Sequence, residues 1–289
     1  MNVLTLSPQE QLSNITIQVK TVDPQGSGSG TGFLMMFCRG EDSGIPAVVT
    51  NKHVIAGCSE FQLVLKGTQP TGNTPDYTSS FTMRFTDGQA GWIPHPDPAI
   101  DLAVLPIGDA IQRVIRTGFT PFIVYLGVTD IGDDDFARTI TPIEDVLMIG
   151  YPEGIEDHVN NMPLVRRGIT ATWPALDFQG RREFAIDCAI FQGSSGSPVL
   201  LFNPSGYADA QGNVMIGAPR MKLLGVLYAG PSYTAEGKLD IAPVPTHRGK
   251  VTSRIPMNLG YCIKASELRW FERHFADRLA GTGRPRDKS

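Results

Sequence analysis

The segment FQGSSGSPVL, residues 191–200, contains the serine best placed to act as a nucleophile. A nucleophilic serine needs an exposed hydroxyl, a base that takes its proton, and backbone N–H groups directed at the developing oxyanion. Glycines on both sides of Ser195 permit a tight turn that brings successive amides into one pocket. We therefore predict Ser195 as the nucleophile and the amides of Gly193 and Ser195 as an oxyanion hole, although Gly-Ser runs are also ordinary turn material.

Two further segments could supply the base and the residue that orients it. In AVVTNKHVIAG, residues 47–57, His53 ends an apolar strand, and in DPAIDLAVLPI, residues 97–107, Asp101 opens one. A carboxylate at a strand end can orient an imidazole and stabilise its charged form. Taken singly, each of these residues is more often structural than catalytic. The order His, Asp, Ser makes the three together far more specific than any one of them.

The three segments resemble the motifs of a known family. TNKHV, DLAVL and GSSGSP are similar to the motifs of chymotrypsin-like (trypsin-like) serine peptidases, and most of all to bacterial branches in which GxSGSP replaces the animal GDSGGP. GYP at 150–152 and RRGI at 166–169 look like the entry to the second barrel of bacterial members, including the HtrA-type proteases. The resemblance covers about residues 14–276.

The resemblance implies a serine endopeptidase that works through an acyl-enzyme. His53 would be the general base and then the general acid, Asp101 would orient it, and Ser195 would attack the scissile carbonyl. Animal trypsins carry an aspartate before the nucleophile, which binds a new N-terminus after zymogen cleavage, but this chain has Ser194 there. We therefore expect that no N-terminal clip is needed to form the oxyanion hole.

Alignment with the family also places the S1 pocket. Its base would be Ala189 with Ile190 beside it, and its wall would be Tyr228, Ala229 and Gly230. No aspartate is present there to pair with Arg or Lys, and GVLYAG lacks the histidine of glutamate-specific relatives. Because an unpaired charge is costly to bury, we predict an uncharged, small or aliphatic P1 residue.

The elements that must position these residues are short strands separated by turns rich in Gly and Pro. Six candidate strands precede roughly residue 110, the number a small closed barrel uses, and six more follow in the second half. GSGSGTG is interpreted as a turn that leads into an apolar strand. We predict an all-β fold of two six-stranded antiparallel β-barrels, residues 1–125 and 126–263, with a C-terminal α-helix and tail at 264–289.

The last segment, KASELRWFERHFADRLAG, has the pattern of an amphipathic helix. Ser266 is a candidate N-cap and Gly281 a candidate end. An apolar stripe at helical spacing is expected to pack on the second barrel; its residues are Leu268, Phe271, Phe275 and Leu279. The long stretch 229–257 follows the S1 wall, where a lid, an exosite and a surface insertion without function are all open interpretations.

Composition excludes several other classes of function. The net charge of −4 and the pI of about 5.7 argue against nucleic-acid binding. The first residues carry no basic and apolar leader, and no stretch reaches the ~18 apolar residues of a spanning helix, so we predict a cytoplasmic protein that binds no membrane. The four cysteines form no CxxC pair, and we expect neither a metal nor another cofactor.

The sequence leaves two functions open. The first is an active endopeptidase with a protein or peptide substrate, restrained by a narrow substrate range or by a regulatory protein partner. The second is a non-catalytic or latent peptide-binding module on the same two-barrel fold. An esterase of the α/β-hydrolase type is excluded, because that fold has the order Ser, Asp, His.

Overall fold

The described residues form two large β-structures, a nine-stranded sheet in the first half and a closed six-stranded barrel in the second. The structure, a computed structural model, describes residues 6–282 apart from 24–25, 42, 71, 89–90, 154, 156, 158 and 239–249. Within those residues, no helix has the length and apolar character needed to cross a membrane.

The first sheet carries the predicted base and its orienting residue. Its strands are β1 (Thr16–Asp23), β2 (Gly26–Phe37), β3 (Ile45–Thr50), β4 (Glu60–Thr68), β5 (Pro75–Phe85), β6 (Ile93–Pro94), β7 (Ala103–Pro106), β8 (Pro121–Phe122) and β9 (Leu126–Gly127). Their order is β5-β4-β1-β2-β3-β7-β6, with β8 paired to β4 and β9 paired to β2. The antiparallel pair β3 and β7 brings the end of one strand beside the start of the other, next to His53 and Asp101.

The glycine-rich run GSGSGTG is the first part of strand β2 and not the turn expected from the sequence. Small residues are needed there because the strand is crowded on the face to which these glycines would direct a side chain. A Cβ on Gly32 would lie 2.7 Å from Val48 Cγ1 and 3.2 Å from Val19 Cγ2. The glycines therefore serve close packing between neighbouring strands.

The second half forms the closed barrel. Its strands are β10 (Asp145–Gly150), β11 (Leu164–Thr170), β12 (Glu183–Asp187), β13 (Pro198–Asn203), β16 (Arg220–Ala229) and β19 (Leu259–Lys264), in the order β10-β11-β12-β19-β16-β13. The six-stranded barrel predicted for this half is thereby confirmed. In the first half, by contrast, the described residues form nine strands, and no described pairing joins β5 to β6 into a closed ring.

Two hairpins of the described chain lie in connections between barrel strands. One pairs β14 (Gly206–Ala208) with β15 (Val214–Ile216), and the other pairs β17 (Ser232–Lys238) with β18 (Lys250–Pro256). The second hairpin accounts for much of the long stretch 229–257, although residues 239–249 lie outside the described part of the chain.

The helices are short except for the last one. They are α1 (Pro8–Leu12), α2 (Lys52–Ile55), α3 (Gly108–Arg116), α4 (Asp134–Ala137) and α5 (Arg269–Thr282). Three-residue or four-residue 3₁₀ turns occur at Val128–Asp130, Phe178–Gly180 and Ala265–Leu268. The C-terminal helix predicted from the sequence is α5.

The expected ends of the C-terminal helix are wrong. Ser266 lies within the 3₁₀ turn before α5, where its hydroxyl accepts a hydrogen bond from Arg182 and donates to Asp134, so it does not cap the helix. α5 continues through Gly281 to Thr282. The cap prediction failed because the serine hydroxyl has charged tertiary partners, which the local sequence does not reveal.

The packing partner of α5 also differs from the prediction. Leu268, Phe271 and Phe275 are buried as expected, but Leu279 is 53% exposed. The rings of Phe271 and Phe275 lie 6.5 and 5.4 Å from that of Phe37, at the end of β2. The helix thus packs on the first sheet as well as on the second barrel, and its apolar face joins the two halves.

Candidate active site

Asp101 contacts His53 in two ways. Its Oδ2 lies 2.5 Å from the ring Nδ1 of His53, and its Oδ1 accepts a hydrogen bond of 3.1 Å from the His53 backbone N–H. The side-chain amide of Asn51 donates to the Asp101 carbonyl at 2.8 Å. With Nδ1 directed at the carboxylate, the tautomer that leaves Nε2 as an acceptor is favoured.

His53 lies three residues beyond the strand that was expected to carry it. β3 ends at Thr50, and His53 belongs to the one-turn helix α2. This turn places the ring above the end of the sheet, with about half of the side chain (48%) exposed. The base is therefore accessible from solvent, while its carboxylate partner is three-quarters buried, with 23% of the side chain exposed.

The nucleophile turn needs glycine at two positions. Gly193 and Gly196 have φ values of +82° and +86°, which L side chains rarely adopt. A Cβ on Gly193 would also lie 2.7 Å from the backbone N of Glu153 and 2.8 Å from the Tyr151 carbonyl oxygen. Both the conformation and the close approach thus require the glycines that flank Ser194 and Ser195.

Two backbone N–H groups of this turn, those of Gly193 and Ser195, are the candidate donors of the oxyanion hole. The Gln192 carbonyl accepts a hydrogen bond from Glu153 N at 2.8 Å, and the Ser194 carbonyl accepts one from Ser197 N at 3.1 Å. In a planar trans peptide the N–H is directed opposite to the C=O, so the N–H groups of Gly193 and Ser195 are directed away from these partners. Among the described residues neither N–H has an acceptor, which is the condition that an oxyanion hole requires.

Thr31, which the sequence reasoning missed, connects the nucleophile to the histidine segment. Its N–H donates to the Ser195 carbonyl at 2.8 Å, and its hydroxyl donates to the Gly193 carbonyl at 3.1 Å. Its hydroxyl also accepts from Tyr151 N at 2.8 Å, and its carbonyl accepts from the Thr50 hydroxyl at 2.7 Å. The sequence shows only a threonine between two glycines, just before the apolar run FLMMF of this strand.

The Ser195 hydroxyl is directed at the second barrel in this structure. It donates to the carbonyl oxygen of Tyr228 at 3.3 Å, and within the described chain it makes no hydrogen bond to the His53 ring. The bond between nucleophile and base is often long without substrate and tightens in the substrate complex. The fold thus brings His53 and Asp101 into direct contact and links Ser195 to them through Thr31.

A cleft of about 220 Å³ opens beside Ser195. Three of the residues predicted for S1 line it, namely Ile190, Ala229 and Gly230. The described lining does not include Ala189, whose carbonyl accepts a hydrogen bond from Arg166, or Tyr228, whose carbonyl accepts from Ser195. No lining residue carries a charge; the full set is Ile190, Phe191, Gln192, Ser195, Leu227, Ala229, Gly230 and Pro231.

Comparison with protein families identifies a match over the middle of the chain. The model described as a trypsin-like peptidase domain matches residues 30–206, which is more than half of the chain. These residues include all three predicted triad positions. Comparison with curated proteins found no match.

Solved structures that match this chain include three proteases. The HtrA-type protease AlgW with a tripeptide is 18% identical, with a TM-score of 0.46, and the alignment covers 96% of this chain and 65% of that one. The serine endoprotease from Yersinia pestis is 15% identical, with a TM-score of 0.45 and coverages of 98% and 70%. The active form of the Rv3671c protease from M. tuberculosis is 16% identical, with a TM-score of 0.42 and coverages of 96% and 85%. The chain spans less than two thirds of the length of the AlgW structures.

Proposed function

The chain belongs to the family of trypsin-like peptidase domains, and from that premise we propose that it is a serine endopeptidase with His53, Asp101 and Ser195 as its triad. Its substrates are peptides or proteins. The observation that carries the proposal is the double contact of Asp101 with His53, because these residues are 48 positions apart and only the fold brings them together.

The proposed reaction proceeds through an acyl-enzyme. Nε2 of His53 takes the proton of the Ser195 hydroxyl while Oγ attacks the scissile carbonyl carbon, and Asp101 stabilises the resulting imidazolium. The N–H groups of Gly193 and Ser195 bind the oxyanion, and one such donor typically lowers the barrier by about 3 kcal/mol. The imidazolium then protonates the leaving amine, and water repeats the sequence to release the acid.

A fluorophosphonate probe tests this proposal. We expect the wild-type protein to be labelled at Ser195, because only a serine activated by a base reacts with the probe at a useful rate. Mass spectrometry of the labelled peptide identifies the modified residue, and the Ser195→Ala variant is the control. Labelling that persists in this variant, or cleavage of peptides that the variant retains, would contradict the proposed nucleophile.

A latent enzyme or a non-catalytic peptide-binding module is the second candidate. The observation that favours it is the hydrogen bond from the Ser195 hydroxyl to the Tyr228 carbonyl, which directs the hydroxyl away from the base. A folded protein that binds peptides in the cleft but is not labelled would support this candidate. Control by a regulatory protein partner, which a latent enzyme would need, stays a prediction from the sequence.

We further propose an uncharged, small or aliphatic P1 residue. The cleft beside Ser195 has apolar walls formed by Ile190, Phe191 and Leu227, and its lining contains no charged side chain. A charged P1 side chain would lose its hydration there without gaining an ionic partner.

Cleavage of a combinatorial peptide library measures this preference. We expect Ala, Val or Leu before the scissile bond, with cleavage after Arg, Lys, Asp or Glu at least tenfold slower, since burying an unpaired charge costs a few kcal/mol. A profile dominated by Arg, Lys or Glu would refute the proposed pocket while leaving the proposed triad intact.

We also propose that the first sheet is the counterpart of a first barrel, which would complete the two-barrel fold. The predicted division at 1–125, 126–263 and 264–289 is supported by the separate sheets of the two halves. The pairing of β9 with β2 favours an end of the first unit after Gly127.

A further inference from the structure

A partly buried arginine lies directly behind the nucleophile turn. Arg166, on β11, donates from Nη1 to the Ala189 carbonyl at 3.1 Å and to the Ser194 hydroxyl at 2.8 Å. The Ser194 hydroxyl also accepts from Phe191 N at 3.4 Å, and Ser194 is only 1% exposed. One nitrogen of the guanidinium thus holds two points of the segment that leads to Ser195.

These contacts bear on the two free amides of the turn. Ser194 lies between Gly193 and Ser195, whose N–H groups have no acceptor among the described residues. Any rotation of the Ser194 backbone would redirect one or both of these N–H groups. Because electrostatic stabilisation of an oxyanion depends on donors that are oriented beforehand, a side chain that fixes Ser194 acts on the oxyanion hole without touching the substrate.

The position of Arg166 is unfavourable for a purely structural residue. Its Nε and Nη2 are buried and have no hydrogen-bond partner within the described chain. Burial lowers the pKa of Arg166, and the nearby Cys188 only partly opposes this effect. A buried cation without a carboxylate partner is costly, and an apolar side chain of similar size would serve folding better.

Its neighbour in sequence provides the contrast. Arg167 points to the other side of β11, is 72% exposed and forms an ion pair of 2.8 Å with Asp145. Exposed pairs of this kind contribute little to stability. The two arginines therefore differ in burial and in contact with the nucleophile turn, but not in residue type or in the strand that carries them.

We propose that Arg166 is a positioning residue for the oxyanion hole, holding the turn 189–194 so that the N–H groups of Gly193 and Ser195 converge. The proposal rests on the proposed endopeptidase function. Arg166 would not touch the substrate, since the hydrogen bonds of Arg166 are with the Ala189 carbonyl and the Ser194 hydroxyl. Replacing Arg166 should therefore weaken stabilisation of the transition state and leave ground-state binding of the substrate unchanged.

The test compares Arg166→Met with Arg167→Met on a peptide that the wild type cleaves. We expect kcat of Arg166→Met to fall about 10-fold to 100-fold with KM within about twofold, which is less than the full loss of one oxyanion donor. Arg167→Met should keep wild-type kinetics. Affinity for a peptide aldehyde, whose serine adduct carries the oxyanion, should fall in parallel with kcat, and Arg166→Lys should recover part of both.

Equal kinetics of Arg166→Met and Arg167→Met, or a change in KM alone, would overturn the proposal. If thermal melting shows that Arg166→Met does not fold, Ser194→Ala provides the second test: it removes the acceptor, and we expect a lower kcat in a folded protein. Adding Arg166→Lys to the Ser194→Ala variant should then lower kcat by a smaller factor than Arg166→Lys does in the wild type. Effects on kcat that are fully additive in free energy would contradict the coupling. A wild-type protein that neither cleaves peptides nor reacts with a fluorophosphonate refutes the endopeptidase function itself.

Discussion

Replacing Ser195 or His53 by alanine is expected to lower kcat for peptide hydrolysis by about 10⁶-fold in each case, because the two side chains act as one unit. Without the hydroxyl there is no nucleophile, and without the imidazole the hydroxyl keeps its proton. Asp101 cannot substitute for the base, since its carboxylate is directed at the position of His53 Nδ1 and the His53 backbone.

Ser195→Ala combined with His53→Ala should be no slower than either single variant, because the second substitution removes a group that already has no function. Rates should be measured with an internally quenched peptide, and Ser80→Ala, at an exposed position of β5, is the matched control for a serine outside the site. Rate losses that multiply in the double variant would show that the two residues do not act together.

Gly196→Ala is expected to cost about 3 kcal/mol or more of unfolding free energy and most of the activity. The residue has a φ of +86°, and its Cβ would lie 1.9 Å from the Thr31 carbonyl oxygen and 2.6 Å from the Thr50 hydroxyl. The left-handed conformation alone costs roughly 1 kcal/mol, and overpacking typically adds 1–3 kcal/mol. Relief of the contact would separate Thr31 from the nucleophile turn.

Gly212→Ala is the matched control. Gly212 has almost the same φ, +84°, but a Cβ there meets nothing within 4 Å, so we expect only the conformational cost of about 1 kcal/mol and full activity. Chemical denaturation of both variants gives the two free energies. Equal losses of stability would show that strained backbone, and not the contact with Thr31, dominates at Gly196.

Thr31 joins the two halves of the proposed active site. The predicted base and nucleophile lie in different halves of the chain, and three hydrogen bonds of one buried threonine connect these halves at the cleft. A fourth joins this threonine to Thr50 of the first sheet. A relative shift of the sheet and the barrel would therefore disturb the nucleophile turn directly. The apolar face of α5, which packs on Phe37 of β2, opposes such a shift.

The parts of the site that depend on local conformation could be predicted from the sequence. Glycines around Ser195 indicated a tight turn, and the observed left-handed conformations of Gly193 and Gly196 give the reason. Alternation and apolar runs located most strands, and the barrel of the second half agrees with them. The GSGSGTG run was misjudged, because glycine favours a turn equally well and only the packing against Val48 requires it in a strand.

Order and spacing alone could not predict which distant groups would meet. Asp101 and His53 are joined by the pairing of β7 with β3, Thr31 reaches Ser195 across the two halves, and Arg166 lies behind Ser194 because β11 passes there. None of these contacts has a local sequence signal, since each depends on how strands are arranged in a sheet.

The sequence by itself determined the nucleophile turn, the family resemblance and the predominantly β-stranded fold, because these depend on the backbone preferences and polarity of adjacent residues. Only the tertiary structure decided the contact between Asp101 and His53, the connection through Thr31 and the place of Arg166 behind Ser194. Such contacts form between residues far apart in the chain, and their free energy exists only once the sheet and the barrel have closed around them.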